Sequence, residues 1–328
     1  MKKVLITGAS GFVGYHLISE ALALDLDVYA AIRPDSNVKH LQDFPIHFVN
    51  LDFSSVQKLK TQLEENQYEY IIHAAGVTKA KSKEIYDYIN AELTNNLAMA
   101  IQSANYKVEK FVFVSSLAAL GPLKDLTLQI EDNTVAKPVS NYGASKLLAE
   151  KHLSKYKDLP LVVIRPTAVY GPREKDIFIL VNSIKKGLEP YIGNIIQQLS
   201  FIYVKDLAEI ILKTLTSDIV NRSYNVSDGR VYSRYALADF TKSFLSKKTF
   251  KFHIPLALMK LSAGIIDLMY KGSEKTPVIN SEKIEELIAV NWSCDIKNIK
   301  RDLGFSPKFD LKAGLEETLS WYKVNNWL

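Results

Sequence analysis

The stretch that most constrains this chain is its opening, MKKVLITGASGFVG. Val4, Leu5 and Ile6 form an aliphatic run that reads as a short strand and stops at Thr7 and Gly8. Gly8, Gly11 and Gly14 then recur at every third position, and an amphipathic segment starts directly behind them. Strand, glycine turn and helix in this order make a phosphate-binding loop. Gly8 supplies the tight turn, Gly11 leaves room for the backbone to approach a pyrophosphate, and Gly14 lets the helix pack closely on the strand. Free N–H groups and the positive end of the helix dipole then face the phosphates.

Behind that loop, strands and helices alternate. Tyr15–Leu24 reads as a helix, Asp27–Ile32 and Ile46–Leu51 as strands, Gln57–Glu65 as a helix and Tyr70–Ala74 as a strand. Glu84–Asn105 reads as one long helix, Lys110–Ser115 as a strand, Tyr142–Lys155 as a helix and Leu161–Arg165 as a strand. Alternation of this kind implies parallel βαβ units with right-handed crossovers, an α/β doubly wound parallel Rossmann sheet. Beyond Gly171 the rhythm loosens: Phe178–Gly187, Val204–Thr216, Tyr235–Ser246 and Gly314–Asn325 read as helices, with short strands near Phe201 and Tyr224–Val226. The expected organisation is a nucleotide-binding domain over residues 1–170 and a smaller, mostly helical C-terminal substrate lobe over 171–328, some of whose segments return to the first domain.

Composition excludes several other classes. The chain has 328 residues, 47% of them hydrophobic, with 41 basic and 36 acidic side chains, so a packed core is available and the net charge of +5 is too mild to argue for nucleic acid. Cys294 is the only cysteine, which rules out an intrachain disulfide. The first apolar run breaks too soon for a signal peptide, so a cytoplasmic protein is expected. Ile254–Tyr270 is apolar but carries Lys260, Gly264 and Asp267, which suits an amphipathic helix or helix pair better than a membrane span. The six histidines and one cysteine show no spacing suited to a structural metal site, and none is expected.

Candidate chemistry sits on separate pieces. Tyr142 and Lys146, in NYGASK, are four residues apart and share a helix face. A neighbouring ammonium favours the phenolate and makes the tyrosine a usable proton donor near neutral pH. Ser115 and Ser116 end the fifth strand, where a hydroxyl can hydrogen-bond the same substrate oxygen. His73 reads as a packed strand residue.

With TGASGFVG, HAAG (His73–Gly76), VSS (Val114–Ser116), YGASK, RPTAVYGPR (Arg165–Arg173) and FIYVKDLA (Phe201–Ala208) in this order, the chain resembles an extended short-chain dehydrogenase/reductase, the superfamily that contains the NAD-dependent epimerase/dehydratases. The resemblance implies Tyr142 as general acid, Lys146 as its partner and ribose ligand, and Ser116 as the hydroxyl that polarises the substrate. It implies cofactor contacts at Thr7, Gly8, Ser10, Gly11, Phe12, Val13 and Gly14, at Asp52 and Phe53, at Ala74, Ala75 and Gly76, and at Ser115, Pro166 and Val169. Asn90 falls where the family often has an asparagine. Thr78, Leu117, Thr167 and Arg173 are the implied substrate contacts. The helices Glu84–Asn105 and Tyr142–Lys155 resemble those that pair in the family's homodimers.

The end of the second strand decides the cofactor. It reads AAIRPDSN, placing Arg33 and Ser36 where a cation would meet a 2′-phosphate, so NADP(H) is preferred and NAD(H) is the alternative. Ser116 is followed by Leu117-Ala-Ala-Leu120, which lacks the Asp-Glu pair of the family's dehydratases. Leu117, Leu120, Val169 and Tyr170, together with Arg33, resemble the dihydroflavonol reductase and 3β-hydroxysteroid dehydrogenase branch. The expected activity is therefore an oxidoreductase acting on the ketone, aldehyde or alcohol of a fairly apolar small molecule. The alternative is a nucleotide-sugar epimerase, whose substrate diphosphate would need cations such as Arg173, Arg222, Arg230, Arg234 or Arg301. A third reading is a non-catalytic NADP-sensing or assembly protein.

Overall fold

Residues 1–261 and 281–328 are described by a computed structural model. Six parallel strands, Lys3–Thr7 (β1), Asp27–Ala31 (β2), His47–Val49 (β3), Tyr70–His73 (β4), Lys110–Val114 (β5) and Leu161–Pro166 (β6), are joined by a seventh, Arg222–Val226. Across the sheet the order is Arg222–Val226, β6, β5, β4, β1, β2, β3. The chain winds outward in both directions from β1, so the loops after β1 and β4 flank the crevice in which open sheets of this kind bind ligands.

The strand sequences explain why both faces are covered. In β1, Val4 and Ile6 join one core cluster and Leu5 the other, as the two-residue period of a strand requires. On the first face lie Phe12–Ala23 (α1), with Leu17 and Ile18, and a later helix carrying Leu207 and Ile211. On the second lie Val56–Asn66 (α2), through Leu59 and Leu63, the helical stretch that includes Leu97 and Ile101, and Ala149 and Leu153. With helices on both sides, β4, β5 and β6 are buried along their whole length, which is why they read as continuous apolar runs.

Two departures from the sequence reading matter for the site. The expected helix Glu84–Asn105 is broken into Lys83–Asp87 (α3), a π-helical turn over Tyr88–Glu92 and Leu93–Ser103 (α4). The wide turn contains Asn90, whose amide accepts from the Val77 N–H at 2.8 Å and donates to the Val77 carbonyl and to Ser145 Oγ. Periodicity cannot show this insertion, because the apolar residues on either side keep a helical spacing. The short strand expected at Tyr224–Val226 begins at Arg222 and pairs with β6, so it belongs to the main sheet.

Asn141–Leu153 (α5) follows the same face as α4. The later part of the chain supplies Asp176–Lys185 (α6), Val204–Leu215 (α7), which is the helix packed beside α1, and Ala236–Leu245 (α8). Together with the helix Leu311–Val324 and several two- or three-residue strands, α6 and α8 form a smaller group around Tyr170, Phe201, Tyr203 and Leu315. Of the apolar stretch expected as a helix at 254–270, Ile254 ends a strand and residues 256–261 are helical; the remainder lies outside the described residues. Among the described residues no helix is long and apolar enough to cross a membrane.

Candidate active site

The glycine loop is built as its sequence requires. Gly8 has φ +71°, and a Cβ there would lie 2.7 Å from the carbonyl of Ala74. At Gly14 a Cβ would lie 2.2 Å from the Gly8 carbonyl oxygen, so any side chain would push α1 off the loop. Helix α1 starts behind Gly11 with no side-chain cap and no acidic residue in its first turn. Its first N–H groups are therefore available to an anion, and the loop fits a dinucleotide pyrophosphate.

The loop after β4 is tied to that turn by a chain of buried polar groups. The Ala75 N–H donates to Thr7 Oγ1 at 3.1 Å, and Thr7 Oγ1 lies 2.8 Å from His73 Nδ1. His73 Nε2 lies 2.9 Å from Thr94 Oγ1, whose hydroxyl donates to the Asn90 carbonyl. Burial lowers the His73 pKa from 6.5 to about 3, so the ring is neutral and passes the chain from hydroxyl to hydroxyl. A Cβ on Gly76 would meet Asn90 Oδ1 at 2.9 Å and Lys146 Nζ at 3.3 Å, leaving no space for another residue type.

Tyr142 and Lys146 project from α5, whose N-cap Ser140 accepts from the Gly143 N–H at 3.1 Å. Gly143 lets α5 press on the short turn Leu117–Ala119, where a Cβ would come 2.3 Å from the Ala118 carbonyl oxygen. Ser116 caps that turn, and its hydroxyl is hydrogen-bonded to the hydroxyl of the half-buried Tyr142. Lys146 Nζ donates to the Val114 carbonyl at 3.0 Å and lies 4.9 Å over the Phe113 ring. Ser116, Tyr142 and Lys146 thus converge beside the glycine loop at the C-terminal end of β5. Their electrostatics differ from the sequence expectation: burial raises the Tyr142 pKa to about 12 and lowers that of Lys146 to about 8. Desolvation of the phenolate is the largest cause at Tyr142, and the Ser116 hydrogen bond offsets it only in part.

Other sequence-derived positions divide by placement. Ser115 turns away from Ser116 and donates to Glu150 Oε1 at 2.5 Å, and Glu150 pairs with Arg165 at 2.6 Å. Arg165 also donates to the Asp132 carbonyl. Leu117 packs into the main core at 3% exposure, with Val169 against the same cluster. Pro166 ends β6, and the Thr167 hydroxyl just beyond it is buried without a hydrogen-bond partner. The Thr78 carbonyl accepts from the Tyr86 hydroxyl. Arg33 is 80% exposed and 3.7 Å from Asp35, and its N–H donates to Ser36 Oγ. Asp52 is held by Ser54 and Lys58, which lower its pKa to about 2, while Phe53 packs beneath α2 and its carbonyl accepts from Asn96. Ser10 carries the backbone group bonded by His40, Phe12 stands edge-on to His16, and Val13 packs against the core. Asn90, Glu150 and Gly143 are the positions whose structural roles the residue pattern conceals.

The five arginines weighed for a substrate diphosphate are dispersed. Arg173, at φ +78°, stacks 4.1 Å over Tyr15 and 5.4 Å over Trp321. Arg234 donates to the carbonyls of Ile192, Gly193 and Ile195. Arg230 faces Asp310, whereas Arg222 and Arg301 line a polar cleft with Asp132 and Asp302.

Buried neutral histidines give an acid-stability prediction. Burial lowers the pKa of His16 from 6.5 to about 4, with its Nε2 at 3.2 Å from the Pro172 carbonyl. Between the folded and unfolded pKa values of His16 and His73 the unfolded chain binds more protons, so stability present above about pH 6.5 is lost as pH falls. Urea unfolding should show a lower midpoint at about pH 4.5 than at about pH 7, and His16→Gln should remove on the order of 2 kcal/mol of that difference. The same acid sensitivity in the variant would remove His16 from the explanation.

The profile of the NAD dependent epimerase/dehydratase family matches residues 4–227. A UDP-glucose 4-epimerase of Vibrio cholerae is 28% identical over 335 residues, covering 99% of this chain and 97% of its own. A sterol-4-alpha-carboxylate 3-dehydrogenase (decarboxylating) of Candida albicans is 25% identical, covering 98% of this chain and 97% of its own. The structure of a UDP-glucose 4-epimerase from Thermotoga maritima with UDP-glucose superposes with a TM-score of 0.81 at 19% identity, covering 99% of each chain. With the glycine loop, the parallel sheet and the family profile in agreement, this chain is an enzyme of the extended short-chain dehydrogenase/reductase type and belongs to the NAD-dependent epimerase/dehydratase family.

Proposed function

We propose that the protein epimerises a secondary alcohol carbon of a nucleotide-linked sugar. The observation that carries this reading is the convergence of Ser116, Tyr142 and Lys146 beside the glycine loop, with only Leu117, Ala118, Ala119 and Leu120 following Ser116. That turn holds no carboxylate to assist loss of water, so the arrangement suits oxidation and reduction of one carbinol better than elimination. The nucleotide sugar is taken from the full-length likeness to the Vibrio cholerae UDP-glucose 4-epimerase. This places ahead of the apolar-carbonyl reductase an activity that the residue pattern puts second.

The glycine loop and the uncapped start of α1 would hold the pyrophosphate of NAD, which would supply a reversible hydride acceptor for the carbinol carbon. Tyr142, as its phenolate, would take the carbinol hydroxyl proton and, as the phenol so formed, would return it to the same oxygen, so the exchange leaves no net oxidation and no net proton change. Ser116 donates a hydrogen bond to that oxygen and stabilises its developing charge. Lys146, anchored on the Val114 carbonyl, would supply a positive charge on the tyrosine's side of the site and hold a ribose hydroxyl of the cofactor. The unpartnered Thr167 hydroxyl is a donor for a second sugar oxygen. Incubation with UDP-glucose and a trace of NAD should yield UDP-galactose by chromatography with no net build-up of NADH. Stoichiometric NADH with a keto product would make the protein a dehydrogenase, and inertness towards UDP-sugars would remove the epimerase reading.

One feature favours a second reading, net reduction of a carbonyl with NADPH. The exposed Arg33 follows β2, with Asp35 the one acid paired with its guanidinium among the described residues, where a 2′-phosphate would be met. On this reading Arg33→Ala weakens NADPH binding roughly 10- to 100-fold and leaves NADH unchanged, as loss of a charge-assisted hydrogen bond implies. Titration of both cofactors against both proteins checks it, and equal NADPH affinities would remove Arg33 from cofactor selection.

A further inference from the structure

The parallel ribbon formed by Leu188–Ile192 and Phe250–Ile254 has two unlike faces. Its register pairs Phe250 with Leu188, Phe252 with Pro190 and Ile254 with Ile192, so these six side chains share one face. The opposite face carries the ribbon's polar and aromatic contacts to the rest of the lobe. Glu189, completely buried, accepts from Lys242, Thr249 and the Tyr191 hydroxyl, and Tyr191 packs edge-on against Tyr235. The apolar face is not covered to the same degree: Phe250 is 69% exposed and, among the described residues, its one ring contact is with Phe252, and Leu188 is 45% exposed.

Charge surrounds this face on one side. Lys185 and Lys186 precede the first strand at the end of α6, and Lys247 and Lys248 precede the second at the end of α8. All four are exposed, and none has an acidic partner among the described residues. Gly187 and Phe250 share a backbone hydrogen bond at 2.8 Å, so the two lysine pairs rim the same end of the ribbon. The nearby acid, Glu189, is buried on the far face and already shared between Lys242 and Lys251. One lysine at each helix end would complement the helix dipole, but two at each end, beside an exposed phenylalanine, concentrate positive charge at the rim of an apolar surface.

We infer that this face docks the protein peripherally onto a bilayer containing anionic lipid, with Phe250 and Leu188 entering the interface and Lys185, Lys186, Lys247 and Lys248 meeting the phosphates. Apolar side chains rimmed by unpaired lysines match the two components of interfacial binding, burial at the acyl boundary and attraction to anionic headgroups. The surface lies outside the glycine loop and the Tyr142 cluster, so docking is independent of the proposed reaction.

Co-sedimentation of the purified full chain with phosphatidylcholine vesicles, with and without phosphatidylglycerol, tests this. Binding should require phosphatidylglycerol and weaken as salt is raised. The double variant K247Q/K248Q should bind about 30-fold more weakly, at the typical contribution of each lysine near an anionic surface. Phe250→Ser should lose roughly tenfold or more. Both variants should keep cofactor affinity, which separates this outcome from failure of the site reading. Absence of binding to anionic vesicles, or binding unchanged in K247Q/K248Q, overturns the proposal. A dimer that Phe250→Ser dissociates, with no vesicle binding, would instead assign the face to a second copy of the chain.

Discussion

Tyr142→Phe is expected to lose roughly 10²- to 10⁴-fold in turnover, the usual contribution of a positioned general acid, while binding cofactor almost normally. The substitution removes one oxygen from a half-buried ring that lies beside Tyr86, so the fold around it should persist. Because burial holds the Tyr142 pKa near 12, the hydroxyl is protonated throughout the neutral range. Delivery of a proton to a carbonyl oxygen is then ready at neutral pH, whereas abstraction from an alcohol improves as pH rises and the phenolate becomes accessible. Single-turnover measurement in both directions, with cofactor titration alongside, checks the assignment. Turnover retained in Tyr142→Phe would show that another group moves the proton; loss of cofactor binding would show that the ring is structural.

The sequence carries the first half of this architecture at high contrast. Val4 to Gly14 reads correctly because strand, turn and helix each depend on local residue type, and the close approaches at Gly8 and Gly14 admit glycine alone. Tyr142 and Lys146 lie on one helix as their four-residue spacing requires, because that spacing is itself a geometric statement. What stayed hidden is non-local. Nothing within Glu84–Asn105 announces the π turn, since Asn90 acquires its partners from Val77 and Ser145, and Ser145 lies 55 residues away in sequence. The environment of the Tyr142 hydroxyl is equally non-local, because it depends on how α5 is pressed against the Ser116 turn through Gly143. Arg234 looked like a candidate cation for the same reason: its three carbonyl partners come from a loop 39 to 42 residues away. In each case residue identity proposes a chemistry, and the tertiary neighbours decide whether it is free to act.

The largest stability effect should come from Glu150→Leu. Glu150 lies one helical turn beyond Lys146, and its carboxylate receives the Ser115 hydroxyl at 2.5 Å and the Arg165 guanidinium at 2.6 Å, both partners being nearly inaccessible. Removing the acid leaves the buried Arg165 guanidinium with the Asp132 carbonyl as its hydrogen-bond partner among the described residues and the Asp132 carboxylate as the nearby charge. Breaking a buried ion pair from one side typically costs about 3–5 kcal/mol. For a chain of this size that corresponds to a fall in melting temperature of roughly 6–15 °C by calorimetry. The double variant E150L/R165M replaces the pair by apolar groups and should regain most of the loss, because the cost lies in the orphaned charge more than in the missing attraction. A double variant no more stable than Glu150→Leu would point instead to the Ser115 and Asp132 hydrogen bonds as the source of stability. The network also bears on chemistry. Ser115 is the backbone neighbour of Ser116, and Lys146 shares α5 with Glu150, so the buried pair fixes from below the strand end and the helix that bring Ser116 to Tyr142. A Glu150→Leu protein assayed below its lowered melting temperature should therefore lose turnover while the glycine loop, on the other side of β4, still binds cofactor.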